Sequence, residues 1–171
     1  MPRIIVSSLA KLHDTVREHG ARRILTLINS ATPVPRPAEV SAEHHLFLGF
    51  NDIVEEMDGM VAPSAAHVED VIRWARDWDQ RAPMVVHCYA GISRSTAAAY
   101  TSALALSPGL DEYALANELR RRAPTATPNI RMITFADAIL GRKGRMVEAI
   151  TVIGRGEEAF EGVPFEVPMK L

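Results

Sequence analysis

One segment, His87-Cys88-Tyr89-Ala90-Gly91-Ile92-Ser93-Arg94-Ser95-Thr96, concentrates the side chains able to do chemistry. It follows a short β-rich run, Met84 to His87, and precedes an Ala-rich stretch from Thr96 to Leu106, so it reads as a strand-to-helix turn. Gly91 permits a positive φ, and such a turn gathers backbone N–H groups at a helix N-terminus, an arrangement that binds anions and suits phosphate. The same field, with the permanent charge of Arg94, favours the thiolate form of Cys88, the nucleophilic form of sulfur. Arg94 returns to the same side of the loop, where its planar fork matches two phosphoryl oxygens. Cys88 is the only cysteine, which excludes an intrachain disulfide and a four-sulfur metal site. A buried structural thiol is the bland alternative; His, Cys, Gly, Arg and Ser at fixed offsets weigh against it.

The elements that must position this loop alternate between short apolar runs and helical spacing, the pattern of an α/β domain with covered strands. Ile4-Ile5-Val6 reads as a strand, Leu9 to His19 as a helix capped by Gly20, and Arg23 to Asn29 as a second, nearly all-apolar strand. Pro33, Pro35 and Pro37 break the chain before a third strand, His45 to Phe50. From Ser64, a good N-cap, the apolar positions Val68, Val71, Ile72, Ala75 and Trp78 share one helical face. The helix after the loop is apolar all round and so reads as buried on all sides. Two more helices follow: Asp111 to Ala123, and Ile130 to Leu140 with Thr127 as N-cap, Pro128 at the first position and Gly141 past its end. The expected fold is a single α/β domain with a central, mostly parallel sheet flanked by helices. Residues 1–145 are assigned to it and 146–171 to a C-terminal tail, docked or mobile.

The 171 residues suit one domain, and 19 basic against 21 acidic side chains leave a formal charge of −2. That balance gives no basic excess, so nucleic acid is not an expected partner. No window approaches the ~20 apolar residues of a membrane span, and the first residues lack a signal-peptide pattern, so a cytoplasmic, reducing location is expected. It suits a free thiol.

The His-Cys, five-residue, Arg-Ser pattern resembles the signature of the protein tyrosine phosphatase superfamily, and the wording Gly91-Ile92-Ser93-Arg94-Ser95 is most similar to its dual-specificity-type branch. Residues 3 to 141 fit that branch's order of elements. The resemblance implies a general acid some thirty-odd residues upstream, at the position of Asp52 in Phe50-Asn51-Asp52, and a Pro-Asn pair opening a late helix, at Pro128-Asn129. It implies two chemical steps. Cys88 attacks phosphorus while Arg94 and the amides of Cys88, Tyr89, Ala90, Gly91, Ile92 and Ser93 hold the oxygens, giving a phosphocysteine. Asp52 protonates the leaving oxygen and then activates water, and Ser95 stabilises the departing thiolate. His87 orients the loop without acting as a base, and Asn129 braces it. No metal and no cofactor are required. The implied substrates are phosphotyrosine proteins, with phosphoserine, phosphothreonine and small phosphomonoesters as further classes.

Two readings from other classes stay open: a phosphoresidue-binding module with little catalysis, and a rhodanese-like sulfurtransferase. Glu55, Glu56 and Asp58 rival Asp52 but read as solvated loop acids. His44 and His45, at a strand end, read as structural, Trp74 and Trp78 as partly core, and Arg120-Arg121-Arg122 as a solvated helix end complementing the dipole. Loop positions Tyr89, Ala90, Ile92 and Ser93 carry no positive charge, which disfavours a polyphosphorylated inositol headgroup.

Overall fold

In the computed structural model, which describes residues 2–171, the strands follow the order of apolar runs in the chain. β1 (Ile4–Ser7), β2 (Arg23–Ile28), β3 (His45–Gly49) and β4 (Met84–His87) are parallel, and β5 (Phe165–Val167) joins antiparallel to β1. The sheet order is β3-β2-β4-β1-β5. β4 therefore lies centrally, paired on both sides, and Ser7, Thr26 and His87 align across its C-terminal end. The chain leaves the sheet at that end to form the loop. Open parallel sheets bind ligands there, because successive crossovers leave a crevice beyond the strand ends.

The alternation of side chains assigns the two faces of the sheet. Ile5, Ile24 and Val85 point to one face, where Leu12 and Val16 of α1 (Leu12–His19) cover them. Ile4, Val6, Leu25, Leu27, Met84 and Val86 point to the other, into the larger core built with the remaining helices. α3 (Arg94–Leu106) occupies the middle of that core, buried from Arg94 to Ala105, with Ala97, Ala98, Ala99, Ala103 and Ala105 small enough for close approach to its neighbours. α2 (Ala65–Arg76), α4 (Glu112–Arg122) and α5 (Ile130–Leu140) pack around it.

Several boundaries differ from the sequence reading. The first helix begins at Leu12, since residues 9–11 form a turn, and α3 begins at Arg94, two residues sooner than the Ala-rich run suggests. α2 ends at Arg76, so Trp78 is not on its face; Trp78 fills the core from the following turn, its indole N–H bonded to the Ala82 carbonyl at 3.0 Å. The N-cap of α5 is Asn129, not Thr127: the Asn129 Oδ1 accepts the Met132 N–H at 3.1 Å. Pro128 lies before the cap, where its missing N–H costs nothing.

The chain beyond residue 142 forms α6 (Arg145–Ile153), packed on α4 and α5, and then a strap that returns to the sheet as β5. Asp137 in α5 anchors α6 by accepting from the Gly144, Met146 and Val147 amides. Glu112, buried at the start of α4, pairs with Arg142 at 3.0 Å and Arg145 at 3.1 Å. Burial alone would push the Glu112 carboxyl up, but its own backbone N–H and the two guanidiniums outweigh that and hold it below the usual range.

Candidate active site

The loop after β4 is held by its carbonyls. His87 Nδ1 donates to the Cys88 carbonyl at 3.2 Å, the Leu9 N–H to that of Tyr89 at 3.0 Å, and the Gly162 N–H to that of Ala90 at 2.8 Å. Thr127 N–H donates to the Ile92 carbonyl at 2.9 Å, and Ala97 and Asn129 N–H groups to that of Ser93 at 3.1 and 3.2 Å. In a trans peptide the C=O and the next N–H point in opposite directions. Carbonyls bonded to the surrounding elements therefore turn the following N–H groups inward, so the loop is a nest of donors at the N-terminus of α3. The Gly91 N–H follows this rule and donates to Cys88 Sγ at 3.3 Å. Gly91 has φ of +72°, and a Cβ there would lie 2.8 Å from the Ser8 nitrogen, so both conformation and space demand glycine.

Cys88 is buried at the base of the nest, with Sγ 3.2 Å from Ser95 Oγ. Arg94 is also buried. Its Nη1 donates to Asn29 Oδ1 at 2.9 Å and to the Phe50 carbonyl at 2.7 Å, whereas its Nε has no partner among the described residues. One corner of the guanidinium is thus fixed to the ends of β2 and β3, and the Nε edge is left to a ligand.

Asp52 stands at the mouth. Its Oδ1 accepts from Ser93 Oγ at 2.7 Å and from Asn129 Nδ2 at 2.9 Å, which leaves Oδ2 outside these bonds. Asn129 also donates from Nδ2 to the Ile53 carbonyl, so its side chain grips the Asp52 turn while its backbone grips the loop. Of the rival acids, Glu56 points to Arg131 at 3.8 Å, and none of Glu55, Glu56 or Asp58 bonds to the loop among the described residues.

His87 is buried beneath the loop. Because a carbonyl can only accept, Nδ1 carries the proton and Nε2 accepts from Thr26 Oγ1 at 2.7 Å; Thr26 in turn accepts from His45 Nε2 at 2.7 Å. Burial pushes the His87 imidazole down to about 4, opposed by its bond to the Cys88 carbonyl and reinforced by the nearby His45, Arg94 and His13. It is neutral at neutral pH. His45 is also lowered, by burial and then by Arg36.

Residues 4–106, more than half of the chain, match the family described as "Polymorphic toxin system, DSP-PTPase phosphatase". The chain belongs to this family. The match extends from β1 to the end of α3 and so contains the whole loop. No curated protein matches the sequence. Among solved structures the phosphatase is similar to Cydia pomonella PTP-2 phosphatase, at 16% identity and a TM-score of 0.62 over 79% of this chain and 84% of that one. It is similar to human DUSP28 at 20% identity and 0.60, covering 82% and 95%, and to the Yvh1 phosphatase domain of Chaetomium thermophilum at 19% and 0.57, covering 84% and 93%. These likenesses show the dual-specificity phosphatase fold.

Around the phosphatase loop lie residues that sequence reasoning did not single out. Asn29 and the Phe50 carbonyl hold Arg94, and Thr26 stands behind His87; His45, read as structural, extends that chain through Thr26, and the loop residue Ser93 binds Asp52. Asn29 and Phe50 do follow apolar strands directly, which puts them at the C-terminal sheet end where a ligand sits. The Gly162 contact had no sequence signal. It joins positions far apart in the chain.

Proposed function

We propose that the chain is a cysteine-dependent phosphomonoesterase acting on phosphotyrosine in proteins, with phosphoserine, phosphothreonine and small phosphomonoesters as further substrates. The observation that carries this reading is the Arg94 guanidinium, tied at Nη1 and bare at a buried Nε, beside a donor nest with a sulfur at its base. A charged donor without a partner in the interior is costly, and a phosphoryl oxygen satisfies it.

In the first step Cys88 Sγ forms a bond to phosphorus as the bond to the ester oxygen breaks, with charge on the equatorial oxygens taken by Arg94 and the loop amides. Asp52, oriented through Oδ1 by Ser93 and Asn129, gives the proton on Oδ2 to the leaving oxygen. In the second step the Asp52 carboxylate takes a proton from water as water attacks phosphorus. The S–P bond breaks, phosphate leaves, and the Ser95 hydroxyl hydrogen-bonds the returning thiolate. His87 holds the Cys88 carbonyl outward and moves no proton. A thiol without a second cysteine works best in a reducing compartment such as the cytoplasm. The family description sets this catalytic type in polymorphic toxin systems, and the substrate would then be a phosphoprotein of the recipient cell.

Hydrolysis of p-nitrophenyl phosphate tests the mechanism. The protein should turn it over in the presence of a chelator and release p-nitrophenol in a burst, and Cys88→Ser should abolish turnover. Full activity in Cys88→Ser would overturn the mechanism. Phosphopeptide binding without any hydrolysis would make the chain a binding module.

A further inference from the structure

Beside the nest runs a groove of about 980 Å³, far larger than a phosphate monoester needs. Its floor is Ile92, Pro128 and Ile130. One wall is the turn after β3, with Val54, Glu55 and Met57, closed at its base by reciprocal bonds between Asn51 and Val61. The other wall is the strap after α6, with Glu157, Ala159 and Phe160. Asp52 and Ser93 belong to both the groove and the nest, so whatever carries a phosphoryl group in the nest extends into the groove.

Two properties define the occupant. Three exposed apolar side chains line it: Phe160 is fully exposed, and Val54 and Met57 are about half exposed. Apolar surface concentrated beside a binding site marks a contact with a ligand. The charge is acidic, for Asp52, Glu55, Glu157 and Glu158 face a single Arg155, which itself sits 3.9 Å from Glu158. No described cation lies within ion-pair distance of Glu55 or Glu157. A nucleic-acid end or a polyphosphorylated headgroup would be repelled. The strap wall lies beyond residue 106, where the family match ends, so one wall of the groove is built from outside the matched region.

We propose that the groove binds the polypeptide flanking the phosphoresidue and selects segments bearing both apolar and basic side chains. The inference rests on the phosphatase reading. Contact with Phe160, Val54 and Met57 supplies apolar burial, and Lys or Arg side chains neutralise Glu55 and Glu157.

Two phosphotyrosine peptides of equal length, one flanked by Leu and Arg and one by Gly and Asp, test it against p-nitrophenyl phosphate. The first peptide should show a kcat/KM at least about tenfold above the second, mainly through KM, and the advantage should shrink at high salt. The double variant Glu55→Lys/Glu157→Lys should erase the preference, and Phe160→Ala should raise KM for the first peptide about fivefold. The p-nitrophenyl phosphate rate should stay within twofold in all of them, because that substrate ends at the nest. Equal rates on the two peptides would overturn the proposal, as would a preference that survives charge reversal, or faster hydrolysis of a 5′-phosphorylated oligonucleotide than of either peptide. Failure of the phosphatase reading looks different: p-nitrophenyl phosphate would not be hydrolysed at all. Binding of the two peptides to Cys88→Ser, followed by fluorescence anisotropy, would still report on the groove.

Discussion

At the scale of single residues, the site separates side chains that meet the phosphoryl group from those that aim them. Asp52 and Asn129 illustrate the difference. Replacing Asp52 by Asn should lower kcat by about 10²–10⁴-fold, the usual worth of a positioned acid. Asn129→Ala keeps the acid but loosens its orientation. Its loss should be about tenfold and steeper for phenyl phosphate, a poor leaving group, than for p-nitrophenyl phosphate; an equal loss on both would make Asn129 merely structural. His87 makes a different prediction. Its folded value of about 4 lies below the ordinary histidine value near 6.5, so the unfolded chain takes up a proton that the folded one refuses as pH falls. Stability is therefore full above about pH 6.5 and declines toward pH 4, by on the order of 3 kcal/mol from this group. Denaturant titrations across that window should show the slope, and His87→Asn should flatten it.

At the scale of elements, Gly91 and the junction of α4 with α6 are the places where one change has the widest effect. Gly91→Ala would force a Cβ to within 2.8 Å of the Ser8 backbone at a positive φ, so the loop must move off β1. Vanadate or phosphate affinity should fall at least tenfold, measured by inhibition. Glu112 is buried and matched by the buried Arg142 and by the exposed Arg145, and Arg142→Ala should cost up to about 3–5 kcal/mol because it leaves that carboxylate with Arg145 alone. The depressed Glu112 value adds stability above the unfolded carboxyl range that is lost as pH falls through the folded value, so wild type and Glu112→Gln should converge in acid. The strand-loop-helix around Cys88 was legible because strand, glycine and cation spacing are local signals. The N-cap of α5 lies two residues beyond the expected Thr127 because Thr127 and Asn129 are both good caps, and a side-chain bond to Met132 decides between them. Trp78 sits at helical spacing from Trp74, yet the helix stops at Arg76, so periodicity alone placed it wrongly. The grip of Asn29 on Arg94 joins two strand ends, and such long-range contacts leave no pattern in one sequence.

At the scale of the whole molecule, the C-terminal segment matters most. Its mixed composition does not say whether it docks. In the structure Arg120, on a helix end that reads as solvated, reaches the carbonyls of Ala123, Pro124 and Gly154, and Ser8 Oγ donates to Glu161 at 2.5 Å. A Cβ on Gly162 would lie 2.8 Å from the Gly91 oxygen, so the strap lies directly against the phosphate loop. Gly162→Val should therefore weaken vanadate inhibition by about tenfold while shifting the melting temperature by only a few degrees, since the core is elsewhere; an unchanged vanadate affinity would separate strap from loop. The same contact sets an order of events when the protein is made. A nascent chain that has emerged as far as Ile153 already has the four parallel strands, Cys88 and Arg94, yet the Ala90 carbonyl and the free edge of β1 still await Gly162 and β5, which are synthesised later. Catalytic competence would thus arrive abruptly, as that segment docks, and purified chains truncated at successive positions between residues 154 and 171 should show it as a step in activity near residue 167.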